Sequence, residues 1–407
     1  MRDTEFDNAT NALKRGHPEA DIATAAIVLA GGRGSRLHDL TDAMCKPALP
    51  LPGGVCIGDF ALANLRNSGV GRVMVATQYL PDQLEARLQS LWAPAFQGAG
   101  GDLTISNGPR LTGQADGFVG TADAVYKLVP QIDALNVSHV FILAADHVYH
   151  MDFAEMLETH LQAGAAATVA GTCVPVASAS SFGVIKVDKT GRITGFLEKP
   201  NQVPGLPDAP AEALVSLGIY IFDWSVLRAN LLRDARDVTS GHDFGYDILP
   251  RMIETEKVFA HTLNAPAKSS GPRFWRDLGS LDSYRKTQID MTKPAFAFLA
   301  HDPAWPVHPN PSARGAQSPF SGNFIARSAR VAADAVLDGC VVMDNVEVAS
   351  GVRLRNAIVM ARTSVPATFR AGWDATNDAS RFVRSTGGTV LISPERLRAW
   401  TGQVRHV

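Results

Sequence analysis

The chain has 407 residues, of which 46% are hydrophobic and 19% charged, and a formal net charge of -2 at pH 7. That length is beyond what one hydrophobic core usually serves, so two domains are expected, and the composition excludes extended disorder. Lys and Arg are spread along the chain, so there is no basic field to draw nucleic acid or anionic lipid, and small molecules are the expected partners.

The opening stretch, Met1 to Asp21, is polar and lacks the basic start and apolar run of a signal peptide. The longest apolar run, around Ala25 to Ala30, is too short to cross a bilayer. Cys45, Cys56, Cys173 and Cys340 lie far apart without ligand spacing, which argues against structural zinc and fits a reducing, cytoplasmic setting.

The first predicted strand, Ala25 to Leu29, is continuously apolar and runs into a glycine loop, Gly31-Gly32-Arg33-Gly34-Ser35-Arg36. Ile57, Ala61 and Leu65 recur at helical spacing with Gly69 as the stop, and a strand follows at Arg72 to Thr77. The alternation continues with a helix at Ala122 to Ile132, a strand at His139 to Ala144, a helix at Phe153 to Ala163 and a strand at Ala167 to Val176. This order predicts an α/β domain with a Rossmann-like, mainly parallel sheet over 23–302, whose ligands sit at the carboxyl ends of strands.

Residues 303–322 crowd Pro, Gly and Ser and read as a linker. Beyond it Val336, Val342, Val348, Leu354 and Met360 recur every six residues, and Cys340, Val346, Val352 and Ile358 form a second column. Such a repeat predicts a short parallel β-helix over 323–407 that caps the catalytic domain or mediates assembly. The tail from Arg381 to Trp400 reads as a strand and then a helix, with Ser393-Pro394-Glu395 as its start.

The chemistry begins at the glycine loop, where missing side chains let backbone amides approach phosphate oxygens and Arg36 adds a forked cation. The loop has neither the ending of a P-loop nor the third glycine of a dinucleotide fingerprint, and taken alone it is also readable as a tight turn. Lys46-Pro47 follows ten residues later, then Asp146 after an apolar strand, Glu198-Lys199-Pro200 after another, and Trp275-Arg276-Asp277 near the domain end. Singly, each charged residue reads as a solvated surface group; in this order they suggest a shielded polyphosphate. The eleven histidines show no metal spacing, so His147 and His242 are expected to tie loops together, and Trp275 to pack beside the aspartate.

Those motifs resemble the sugar-phosphate nucleotidyltransferases, in particular the bacterial glucose-1-phosphate adenylyltransferase group. The likeness covers nearly the whole chain and rests further on Gly120-Thr121-Ala122-Asp123, Ser181-Phe182-Gly183-Val184, Ser216-Leu217-Gly218-Ile219-Tyr220 and His242-Asp243-Phe244-Gly245. It implies that ATP and glucose 1-phosphate give ADP-glucose and pyrophosphate on the way to glycogen. Gly31, Gly32, Gly34, Arg36 and Gly120 would hold the nucleotide, and Lys46 would neutralise charge near its reacting end. Asp146 and Asp277 would bind Mg2+, while Phe118, Gly183, Glu198, Lys199 and Ser216 would hold the sugar phosphate. The resemblance also implies a left-handed β-helix and a homotetramer.

The sequence departs from that pattern at Asp42-Ala43-Met44-Cys45 and at Cys56, where the group carries basic residues for a sugar-bisphosphate activator, and at Gly117-Phe118-Val119. Weak or absent activation is therefore expected. Pro109 stands where a glutamine often precedes the arginine matching Arg110, which leaves a UTP- or dTTP-using enzyme as a rival. A catalytically silent regulatory paralogue is the other rival, opposed by the presence of Arg36, Lys46, Asp146, Lys199 and Asp277.

Overall fold

A computed structural model describes residues 23–98, 100–309 and 322–404; the expected polar tail at 1–22 and the 310–321 part of the expected linker lie outside them. Two compact units emerge that do not follow chain order. The first holds the described residues up to Gly32 with Phe60–Ala145 and His150–Lys268, and the second holds Arg33–Asp59, Asp146–Tyr149 and the described residues from Ser269 onward. No helix among the described residues is long and apolar enough to cross a membrane.

The first unit is built on a nine-stranded sheet of β1 (Thr24–Ala30), β2 (Arg72–Thr77), β3 (Asp102–Asn107), β4 (His139–Ala144), β5 (Ala167–Pro175), β6 (Gly183–Val187), β7 (Ile193–Glu198), β8 (Glu212–Asp223) and β9 (Val258–Thr262). Its path runs β7-β6-β8-β4-β1-β2-β3, with β5 pairing β8 and β9. Strands β4, β1, β2 and β3 are parallel, which brings the ends of β1 and β4 side by side. Both faces of β1 are covered, as its fully buried Ala25, Ala26 and Ile27 require, and this is why the strand reads as one apolar run.

The helices between these strands include α1 (Asp59–Asn67), α2 (Thr121–Lys127) and α3 (Phe153–Ala163). Gly69, at φ 79°, follows α1, and the N–H groups of Gly69 and Val70 donate to the carbonyls of Arg66 and Leu65, which closes the helix end. The helix expected over Ala122–Ile132 divides instead into α2 and a second helix, Val129–Ala134, with Leu128 between them. Pro130 explains the break, since it offers no N–H to continue the ladder.

The other flank turns antiparallel around β8, which pairs in that sense with β4, β5 and β6. A register shift between Ser216 and Tyr220 bends β8, and Gly218 sits there at φ 66°. At the opposite edge the ends of β2 and β3 are joined by the buried Glu85 carboxylate, which accepts from Thr77 Oγ1 (2.6 Å), Asn107 Nδ2 (2.9 Å) and Arg110 Nη1 (3.0 Å).

In the second unit the hexapeptide segment forms parallel strand stacks. Phe324 pairs with Val341 and Val341 with Ile358, Arg330 with Glu347 and Glu347 with Ser364, Val336 with Arg353 and Arg353 with Arg370, each a step of seventeen residues. One turn in each coil is thus a residue short of three hexapeptides, and the first predicted column slips. Val342, Val348 and Leu354 are buried, whereas Val336 is 43% exposed and Met360 falls at the turn after the Ala357–Val359 strand. The second column, Cys340, Val346, Val352 and Ile358, is fully buried. The segment 303–309 is also anchored, with Trp305 and Val307 each 1% exposed.

The slip yields a stability test, because a strict six-residue column makes Val336 and Leu354 equivalent and the observed coil does not. Leu354→Ala should cost about 2–5 kcal/mol in urea unfolding and Val336→Ala within about 0.5 kcal/mol of nothing. Equal losses at the two positions would contradict the seventeen-residue coil.

Candidate active site

The second unit contains a dense knot of charge. Lys46 opens a short 3-10 turn, Lys46–Ala48, in which Pro47 fixes the backbone, and its side chain is only 5% exposed. Its Nζ donates to Asp146 Oδ2 at 2.9 Å and to Asp277 Oδ1 at 3.1 Å. Asp146 arrives two residues after the end of β4, and the next three residues, His147–Tyr149, form a strand antiparallel to Trp275–Asp277. His147 lies opposite Asp277 in that register, so the ladder sets the two aspartates next to one another.

The strand is fixed from behind by Arg276, whose Nη1 donates to Asp290 Oδ2 (2.9 Å) and Thr287 Oγ1 (3.0 Å) on α4 (Leu281–Asp290). Gly34, at φ 66°, has its α-carbon against Lys46: a β-carbon there would stand 3.0 Å from Lys46 Cβ. Arg36 completes the knot, since a β-carbon on Gly279 would lie 2.6 Å from both Arg36 Nη2 and Asp277 Oδ2. Arg36, Lys46, Asp146 and Asp277 therefore converge, whereas Lys199, expected to join them, belongs to the first unit. Gly31 lies against Gln78, and the position over Gly32 is open.

The electrostatics follow from this packing. Burial alone pulls the Lys46 ammonium toward neutrality, but Asp146 and Asp277 outweigh it and hold its pKa above the usual lysine value. Burial likewise pushes the Asp146 carboxyl up, and the nearby His147, Lys46 and Arg36 more than reverse it, so its pKa lies well below the carboxylate range. His147 is a member of the cluster that sequence spacing did not reveal: its Nε2 lies 3.3 Å from Asp146 Oδ1 and 3.7 Å from Asp277 Oδ1, and its ring packs on Trp275 at 5.2 Å. Asp146, His147 and Asp277 each offer a ligand atom within 4.8 Å of the others, a donor set that suits a divalent ion.

The remaining predicted polar residues gather in the first unit. Glu198 ends β7, and Lys199, at φ 45°, returns its Nζ to Glu198 Oε1 at 2.7 Å. The Glu198 carboxylate lies between two glycines: a β-carbon on Gly183 would meet its Oε2 at 2.8 Å and one on Gly245 at 2.6 Å. Ser216 stands at the bend in β8, hydrogen-bonded to Tyr220. Burial pushes the Tyr220 phenol up, and Glu198 and Asp243 act in the same sense, so it stays protonated.

Tyr220, Asp243 and Tyr246 were not singled out from the sequence, although Tyr220 and Asp243 lie in its quoted motifs. Asp243 caps the backbone N–H groups of Gly245 and Tyr246 and accepts from Thr121 Oγ1 at 2.9 Å, while Lys199 Nζ lies 5.9 Å from the Tyr246 ring centre. Gly120 has a steric reason to be glycine, since a β-carbon would stand 2.3 Å from the His242 carbonyl. That carbonyl accepts from Ala122 N–H, and His242 Nδ1 meets Asp234 Oδ2 at 2.7 Å, so this histidine joins the start of α2 to the end of the helix Trp224–Asp234. Phe118 packs its ring in the core, and its backbone exchanges hydrogen bonds with the Gln78 amide.

Carboxylates and cations packed this closely form an arrangement suited to handling phosphate groups. The Nucleotidyl transferase family matches residues 25–293, and the GlmU-like, C-terminal hexapeptide family matches 317–392. The chain is similar to glucose-1-phosphate adenylyltransferases from Jannaschia sp. (38% identity over 91% of this chain and 96% of the relative), Cereibacter sphaeroides (37% over 92% and 95%) and Granulibacter bethesdensis (37% over 91% and 96%). It belongs to the glucose-1-phosphate adenylyltransferase family.

The charge knot carries a pH signature. A carboxylate with a depressed pKa contributes stability that is present above its ordinary value of 3.8 and lost as pH falls toward the folded value. Lys46 contributes in the opposite sense, its share being complete below 10.5 and lost as pH rises past the raised folded value. Lys46→Met removes one cation that depresses Asp146, so its unfolding free energy, measured in urea between pH 5 and pH 2, should fall less steeply with acid than that of the wild type. A steeper fall in the variant would contradict the pairing.

Proposed function

We propose that the chain makes ADP-glucose and pyrophosphate from ATP and α-D-glucose 1-phosphate, a step toward glycogen or a related α-glucan. The catalytic residues belong to 23–302, with the hexapeptide domain at 323–407. The observation that carries this reading is the buried Lys46 ammonium between Asp146 and Asp277 with Arg36 beside them, in a chain whose relatives bear that enzyme's name.

An oxygen of the sugar phosphate attacks the α-phosphorus of ATP; the new P–O bond forms as the bond to the bridging oxygen breaks, and pyrophosphate departs with that electron pair. Both reactants are anions, so the residues around them have to cancel repulsion more than supply a covalent group. Arg36 and the amides of Gly31, Gly32 and Gly34 hold the triphosphate, with Gly120 at the nucleotide, and Lys46 balances charge at the reacting end. Glu198 takes sugar hydroxyls, Lys199 the phosphate, and Gly183, Ser216 and Phe118 shape that subsite. Asp146 and Asp277 would hold Mg2+, which supplies Lewis-acid shielding of phosphate oxygens when bound.

Pro109 favours a second reading in which another base, from UTP or dTTP, replaces adenine. Ala43, Met44 and Cys56 leave little cation for a sugar bisphosphate, so activation by fructose bisphosphate is weak. The enzyme acts in the cytoplasm as a homotetramer.

Pyrophosphate release by purified protein with Mg2+, glucose 1-phosphate and each nucleoside triphosphate in turn tests the assignment. ATP should give the highest kcat/KM, fructose bisphosphate should add little rate, and Asp146→Asn should lower kcat on the order of a hundredfold, about 3 kcal/mol. Release with UTP alone would move the chain to the second reading, and no release with any nucleotide would defeat both.

A further inference from the structure

The hexapeptide segment touches the same unit as the charge knot at two places, each made of buried or forked polar contacts. One lies three residues beyond Arg36. Asp39 belongs to the turn Ser35–Thr41, in which Leu37 and Leu40 are buried, Thr41 Oγ1 donates to the carbonyls of Gly34 and His38, and His38 bends the backbone at φ 51°. Its carboxylate is held from the far end of the chain: Arg396 Nε donates to Oδ2 at 2.7 Å, Arg396 Nη2 to Oδ1 at 3.2 Å, and Ser393 Oγ to Oδ2 at 2.7 Å. Ser393 is fully buried and directly precedes α5 (Pro394–Val404), and the Asp39 side chain is only 15% exposed.

The second contact lies just beyond Asp277. Asp282, on the first turn of α4, accepts from Thr389 Oγ1 (2.5 Å), Ser385 Oγ (2.8 Å) and the Gly387 N–H (3.2 Å). Arg285, one turn further along α4, donates to Thr389 Oγ1 (2.9 Å) and the Gly339 carbonyl (2.7 Å). Residues 339–396 thus hold both the segment bearing Arg36 and the segment bearing Asp277.

We propose that the hexapeptide domain is a positioning frame for the nucleotide half of the site, with Arg396 and Ser393 acting through Asp39 to hold Arg36 at the triphosphate. The inference rests on the reading of Arg36 as a triphosphate ligand. Its physical basis is the fork: two parallel N–H···O contacts fix direction as well as distance, which a lone ammonium cannot do. Burial raises the Asp39 carboxyl, but the hydrogen bonds from Arg396 and Ser393 outweigh it and keep the group ionised, so the frame is charged throughout the neutral range. A misplacement of about 1 Å in a phosphate-holding group is enough to cost on the order of tenfold to a hundredfold in rate.

The test separates positioning from folding by asking which substrate suffers. In the full-length protein, Arg396→Ala should raise the KM for ATP and the Kd for ATP measured by calorimetry without sugar phosphate about tenfold or more. The KM for glucose 1-phosphate should change by less than about twofold, since the Glu198 subsite is built from other segments. Arg396→Lys, which keeps the charge and loses the fork, should fall between, and the exchange Asp39→Arg with Arg396→Asp should recover part of the lost affinity. Unchanged ATP binding in Arg396→Ala, or equal losses for both substrates without recovery in the exchanged pair, would overturn the proposal. ATP binding is read apart from turnover, so a wild-type protein that binds ATP but makes no ADP-glucose would refute the proposed function and leave this frame standing.

Discussion

The burial of the Lys46 ammonium is the constraint on which the rest of the charge knot depends. A cation enclosed to that degree costs several kcal/mol unless carboxylates meet it, and here two do, delivered by segments more than a hundred residues apart. One comes directly from the end of β4 and the other from a three-residue ladder opposite it. The backbone around them is arranged to permit the approach: glycine at 34 lets the loop lie on Lys46, and glycine at 279 leaves room between Arg36 and Asp277. Charge of both signs is thus assembled before any substrate arrives, the condition under which electrostatic stabilisation needs least reorganisation.

The same logic of missing β-carbons runs through the first unit. Gly183 and Gly245 enclose the Glu198 carboxylate from two sides, and Gly120 admits the His242 carbonyl. These positions bear small residues for a steric reason visible only in three dimensions, which is why the sequence could mark Gly183 and Gly120 but not say what each one approaches.

Much of the parallel half of the sheet could be read in advance because its strands are buried on both faces and stop at glycine or charge. The antiparallel flank was harder to see, since β8 is a twelve-residue strand bent in the middle and only the short helix Val176–Ala179 separates its partners β5 and β6. The hexapeptide columns were legible as a repeat, yet the seventeen-residue coil put Val336 on the surface, because periodicity in a short window does not distinguish six from slightly less than six. His147 was expected only to tie loops together because Asp146, His147 and Asp277 do not stand at metal-ligand spacing in the sequence; the strand register makes it a neighbour of both aspartates. Asp39 stands in no motif of the sequence, and its partners Ser393 and Arg396 are more than 350 residues away.

On the proposed reading Asp146 and Asp277 hold a metal at the triphosphate, with Lys46 and Arg36 beside it. Crystals grown with Mn2+ and a non-hydrolysable ATP analogue, examined by anomalous scattering, address it directly. An anomalous peak is expected about 2.2 Å from a carboxylate oxygen of each aspartate, with analogue phosphate oxygens within hydrogen-bond reach of Arg36. A nucleotide whose metal and phosphates lie away from both aspartates would contradict it.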